Sequence, residues 1–318
     1  MGELSDRVRV SLETPNNNPW FPELTSQLTE LAWDNLGKDI GLTTDTYGTA
    51  RVLSGNVSIS RDVIKYLLTD QVVCETPLTI DIEVLPQEQA AQYLDAGITF
   101  YLPNELLNTT VTGCVEDAIS ILKRVPSLLS TVTTLIRSLH LIKPADSDYD
   151  VSFSEPKAPF SVFVSVPEKR VPNDAIRVAE SILHEAMHNQ LTIIEQIVPL
   201  IRSSGKKYFS PWRGTHRPAQ GILHALYVFR VIDRFLASLS SLRSFRGEFQ
   251  EYLQGRRNDI HRQINETRSF ESSSELTMIG ARFVRGLFSV SLILPLSSNS
   301  YRTLADSPSA EITCSDNL

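Results

Sequence analysis

This sequence predicts a mainly α-helical, α+β fold: a helical metal-binding core with small strand elements. Three observations carry that reading. The chain has 318 residues, 42% of them hydrophobic, enough for a sizeable core. Its longer segments repeat apolar residues at spacings of three and four, the period of an amphipathic helix. One of them, "ILHEAMHNQL" (182–191), holds His184, Glu185 and His188 in the pattern H-E-x-x-H, which on a helix puts two imidazoles on one face.

The elements follow in chain order. "SRDVIKYLLTD" (59–69) reads as a helix. "PLTIDIEVL" (77–85) alternates and reads as a strand. "PQEQAAQYLDAG" (86–97) is a helix, opened by Pro86 and closed by Gly97. Residues 115–143 form a long apolar-periodic helix, broken or kinked at Pro126. Residues 143–159, "KPADSDYDVSFSEPKAP", are polar and proline-punctuated, a candidate boundary. "FSVFVSV" (160–166) is a strand. A helix over about 174–203 follows, capped by Asn173 or Asp174, with Ile176, Ala179, Leu183, Met187, Leu191, Ile194 and Val198 on its apolar face. Residues 217–239 form a second, strongly apolar helix, and 241–268 and 273–288 are helical. The expected division is 1–150 as an N-terminal α+β region able to serve substrate recognition, 151–303 as the metal-binding catalytic region, and 304–318 as a flexible tail.

Composition narrows the function. A formal net charge of −7 with no run of Lys and Arg argues against nucleic acid as a partner, since phosphate neutralisation needs a basic face. Cys74, Cys114 and Cys314 are odd in number and far apart, so neither a disulfide framework nor a thiolate zinc site is indicated. The opening "MGELSDRVRVSLETPNNNPW" lacks the apolar core of a secretory signal, and no run of about 18 apolar residues occurs. A cytoplasmic protein with no membrane span is expected, its oligomeric state unreadable.

Residues four apart on a helix stand roughly 5–6 Å apart at Cβ. His184 and His188 can therefore ligate one ion, with Glu185 beside them. Four of the six histidines (184, 188, 216, 224) fall within 41 residues. A catalytic metal normally needs a third protein ligand. Glu195 lies about 10 Å beyond His188 along a helix, out of reach of the same ion unless the helix breaks, and Glu180 is a candidate to orient His184. His224 interrupts an otherwise apolar helix that tolerates a polar group only with a partner; packed antiparallel, it would be the third ligand. His216, in the loop, is its rival, and His140 and His261 look incidental. Arg213 and Arg217, beside Trp212 and Pro218, have the chemistry for bidentate capture of a carboxylate. An acidic small molecule bound at the ion is the reading they suggest, against the plainer one of surface arginines.

The strand "FSVFVSVP", the helix "ESILHEAMHNQL", the following "IVPLI", "SPWRGTHRPAQGILHALYVF" and the later "ELTMIGARFVRGL" (275–287) together resemble the H-E-x-x-H motif proteins of clusters that make ribosomally synthesised, post-translationally modified peptides. The likeness covers roughly residues 150–290. It implies a 2-oxoglutarate-dependent peptide β-hydroxylase using iron(II) and O2, acting on a precursor peptide, with a fold distinct from the jelly roll of ordinary 2-oxoglutarate oxygenases. His184 and His188 would then be iron ligands, and His224 matches the third-ligand position. Arg213 and Arg217 match a W-R-x-x-x-R-P pattern suited to the far carboxylate of 2-oxoglutarate; the sequence does not rank the two. Glu185 would orient a ligand, hold water or pair with an arginine.

Two alternatives stand beside this. In a zinc peptidase, Glu185 would be the general base for a zinc-bound water. In a non-catalytic peptide-binding module, the long apolar helices would form a groove and the motif would be structural.

Overall fold

In the computed structural model the described residues are 2–14, 18–40, 79–85, 87–106, 109–145, 151–154, 160–202, 205–243, 245 and 249–289, with the backbone of 52–53, 56–57 and 63–67. They are mostly helical, with a few strands. No helix among them is long and apolar enough to cross a membrane. The expected tail at 304–318 lies outside them. They divide into two compact units, one drawn from Met1–Pro19 and Ile194–Ser309, the other built on Trp20–Ile193.

The second unit is organised by a sheet. Its strands are β3 (Val63–Leu67), β4 (Thr79–Glu83), β6 (Ser138–Lys143), β8 (Ser161–Ser165) and β7 (Ser152–Ser154), in that spatial order; β5 (Thr99–Phe100) also pairs with β6. The pairings β4–β6 and β6–β8 are parallel, and β3–β4, β5–β6 and β7–β8 antiparallel. A further pair, β1 (Val52–Leu53) and β2 (Asn56–Val57), stands apart from it. Side chains alternate faces along a strand. On one face Phe163 stacks on Phe153 and on His140, with centroids 4.4 and 4.7 Å apart, and Leu85, Ile98 and Ile142 complete that core. The other face carries Leu139, Leu141, Val162, Val164 and Ser152 and is covered by α6 (Asp174–Ile197), as the Ser152–Glu185 hydrogen bond described below requires. The predicted apolar face of α6 is fully inside, from Ile176 to Val198. Around the sheet lie α2 (Pro22–Ile40), α3 (Gln87–Ala91), α4 (Thr109–Leu122) and α5 (Pro126–Leu135). Gln190 ties α6 to the start of α2, donating to Trp20 O at 2.8 Å and Thr25 Oγ1 at 2.9 Å.

The described residues of the first unit are mainly helical and include a hairpin, β9 (Lys207–Ser210) with β10 (Thr215–Pro218). It contains α1 (Gly2–Glu13), α7 (Ala219–Ser241), α8 (Gln250–Glu266) and α9 (Met278–Ser289). Residues 275–280 are strapped to 200–206: Arg202 N donates to Glu275 O at 2.7 Å, Lys206 N to Glu275 Oε1 at 2.7 Å, and Thr277 N to Leu200 O at 2.9 Å. The strap is tight at Gly280, where a Cβ would meet Leu200 O at 2.1 Å. Arg230, fully buried on α7, donates from Nε to Leu287 O at 2.7 Å and pairs with Asp233 at 3.3 Å; Arg257 and His261 each reach Asp233 at 2.9 Å. Burial pushes the Asp233 carboxyl up, but the His261 hydrogen bond and the two guanidinium charges outweigh it and hold the group below its ordinary value.

Two expectations are corrected. Within 59–69, read as a helix, residues 63–67 are strand β3. Residues 115–143 are not one kinked helix: α4 ends at Leu122, α5 starts at Pro126, and the chain turns extended at Ile136 (φ −118°, ψ 127°) to enter β6. The run "LIRSLHLIK" keeps apolar residues at 135, 136, 139 and 142, spacings that continue the helical period of α5 although the chain is already extended. Within 143–159, residues 152–154 are strand β7, which pairs with β8, the neighbour of β6.

Candidate metal centre

His184, Glu185 and His188 occupy the middle of α6, the helix whose neighbours Leu183, Ala186 and Met187 are wholly buried. One turn apart, the two imidazoles place their Nε2 atoms 3.1 Å from each other, with ring planes tilted by 60°. His184 and Glu185 are 8% and 3% exposed, and His188 is half-buried. The separation tests the fit of an ion directly. Two imidazole nitrogens held roughly 2.1 Å from one metal subtend about 95° when they are 3.1 Å apart, an ordinary angle between adjacent ligands. The same distance also suits an N–H···N hydrogen bond, but in either case both nitrogens face one point.

Glu185 is fixed from the sheet. Ser152 Oγ on β7 donates to Glu185 Oε1 at 2.8 Å, and that oxygen lies 3.9 Å from His184 Nε2. Sequence reasoning missed Ser152 because it sits in the polar stretch taken for a linker. The alternation "VSFS" (151–154) was its one signal. Glu180, one turn before His184, is buried.

The residues expected to complete the site lie in the other unit. His224, buried on α7, bonds through Nε2 to Glu195 Oε2 at 2.7 Å, and Gln220 donates to the same oxygen at 3.2 Å. Glu195 is therefore the polar partner that an apolar helix demands for His224, a pairing not visible in the sequence. Because α6 continues unbroken to Ile197, Glu195 stays about two turns past His188. Among the described residues no three His, Cys, Asp or Glu side chains are disposed to hold a metal.

Arg217, on β10, lays its guanidinium over Gly221 on α7; a Cβ there would sit 3.2 Å from Arg217 Cζ and Nε. Positions 221 and 224 share a face of that helix, so Arg217 lies one turn before His224. Its side chain makes no hydrogen bond or ion pair among the described residues. Arg213 sits in the hairpin turn, where the N–H groups of Arg213 and Gly214 donate to Ser210 O, and Trp212 stacks flat on Phe229 at 5.1 Å. His216 is exposed on the hairpin, edge-on to Phe209.

The histidines set aside in the sequence are structural. His140 Nδ1 lies 3.1 Å from Glu83 O inside the sheet, and His261 belongs to the Asp233 cluster. Burial pushes the Cys114 thiol up to about 11, which keeps it un-ionised at neutral pH.

No family model matches this chain, and no curated protein matches it.

Proposed function

We propose that this chain is a metal-dependent enzyme in which His184 and His188 hold the ion, and specifically an iron(II)/2-oxoglutarate oxygenase that hydroxylates a side-chain Cβ of a ribosomally made precursor peptide. The observation that carries the metal is the 3.1 Å approach of the two Nε2 atoms on adjacent turns of α6. Iron with imidazole ligands and open coordination positions supplies oxygen activation; the chain binds and orients. The choice of oxygenase is supported by the sequence likeness and by Arg217, a guanidinium without an acidic partner among the described residues, matched to the distal carboxylate of 2-oxoglutarate. Arg213 is its rival. His224 is the third ligand in this reading and would exchange Glu195 for the ion. Ser152 holds Glu185 in place, and Glu185 aligns a bound water or substrate group.

The zinc peptidase has one observation in its favour: Glu185, held by Ser152, faces the metal side of His184, where a general base must stand. Co-expression with the peptide encoded beside this gene separates the two. A product heavier by one oxygen atom supports the hydroxylase. A cleaved peptide, with no such product, transfers the site to the peptidase.

A further inference from the structure

From Gln196 to Ile232 the chain has no Asp or Glu, although it holds 37 of them in all. The same stretch contains Arg202, Lys206, Lys207, Arg213, Arg217 and Arg230. In a chain of net charge −7 this is a local inversion of sign, and the β9–β10 hairpin presents it. Lys206, Lys207, Thr215 and His216 are exposed. Lys206 Nζ lies over the Tyr208 ring at 5.2 Å, and the side chains of Lys207 and His216 make no hydrogen bond or ion pair among the described residues.

The hairpin also carries an apolar anchor and open backbone. Phe209 is 48% exposed and stands across from His216 in register, ring edge to face. Lys207, Phe209 and His216 therefore share one face, while Tyr208, on the other, packs on Phe270 and hydrogen-bonds Ser273. Neither strand pairs with a third among the described residues. Two buried polar atoms here, Ser210 Oγ and Trp212 Nε1, have no hydrogen-bond partner among the described residues.

We infer that this hairpin is a docking surface for an extended acidic peptide segment with alternating apolar side chains. An open strand edge supplies main-chain hydrogen bonds, and the exposed face supplies the pattern: cations for carboxylates, Phe209 for an apolar residue. Nucleic acid fits less well, because the remaining chain is acidic and would repel a polyphosphate. The site requires no metal and stands independently of the proposed reaction.

The test is fluorescence anisotropy with the full chain, no metal added, and a labelled peptide alternating glutamate and valine. Saturable binding is expected, weakening with salt. The double variant Lys206→Glu/Lys207→Glu should lose about tenfold in affinity, and Phe209→Ser should also weaken it, both with unchanged thermal melting. Absence of saturable binding, equal binding of a lysine–valine peptide, or equal affinity in both variants would overturn the inference. So would tighter binding of labelled oligothymidylate. A dimer in sedimentation that these variants dissociate would assign the surface to a second copy instead.

Discussion

Ser152 carries the most specific consequence at the scale of single residues. Its hydroxyl is one of the groups that fix the Glu185 carboxylate, and a hydrogen bond to a charged group is worth about 1.5–3 kcal/mol. Ser152→Ala should therefore lower turnover by about ten- to a hundredfold while metal affinity, read by titration, stays as in the wild type; Ser152→Thr should restore much of the loss. Equal loss of metal binding in the alanine variant would make Ser152 a packing residue only. Asp233 gives a stability prediction with a definite sign. Its carboxyl is held below its ordinary value in the folded chain, so its contribution is present above the unfolded pKa and is lost as pH falls through the folded one. Asp233→Asn should melt earlier at neutral pH, on the order of 3–5 kcal/mol, since Arg230 keeps its burial and loses its counter-charge. The difference from wild type should shrink in acid. Melting curves across that range decide it.

At the scale of elements, two glycines in the same unit separate packing from binding. Gly280 faces the Leu200 carbonyl, a backbone atom that cannot move aside. Gly280→Ala should cost about 1–3 kcal/mol or more, seen as a lower melting temperature. Gly221 faces the side chain of Arg217, and the two closest atoms belong to its flexible guanidinium end. Gly221→Ala should leave melting nearly unchanged and weaken 2-oxoglutarate binding severalfold by displacing the guanidinium; unaltered binding in calorimetry would remove Arg217 from that role. The same scale shows what the sequence made legible. The start and apolar stripe of α6 were readable in the sequence, whereas its end at Ile197 falls six residues before the expected 203, at the stop that Pro199 imposes. Strands β4 and β8 declared themselves by alternation or by a short apolar run between prolines. Strand β6 did not, because its apolar residues also fall on the helical spacing of the preceding α5, and β3 did not, because "VIKYL" sits among residues that continue a helical period. The motif pair was legible since its geometry is local, two side chains one turn apart. Ser152 and the Glu195–His224 bond were not, since each joins residues brought together only by the fold.

For the whole molecule, the account rests on one ion and one keto acid. The charge balance of the chain bears on the docking surface and its partners, whereas the reaction depends on whether His184 and His188 share a redox-active metal that 2-oxoglutarate can bind. His224 tests how the set is completed. If it is a ligand, His224→Ala should lower iron affinity by an order of magnitude or more; if it serves only Glu195, iron affinity should stay and stability alone should fall, as expected for a half-buried carboxylate that loses its closer partner. The most direct measurement is anaerobic absorption spectroscopy of the full chain titrated with iron(II) and then 2-oxoglutarate. A weak visible charge-transfer band is predicted for the wild type and its loss in both His184→Ala and His188→Ala. Iron bound with no band, or a band that survives either substitution, would contradict the account.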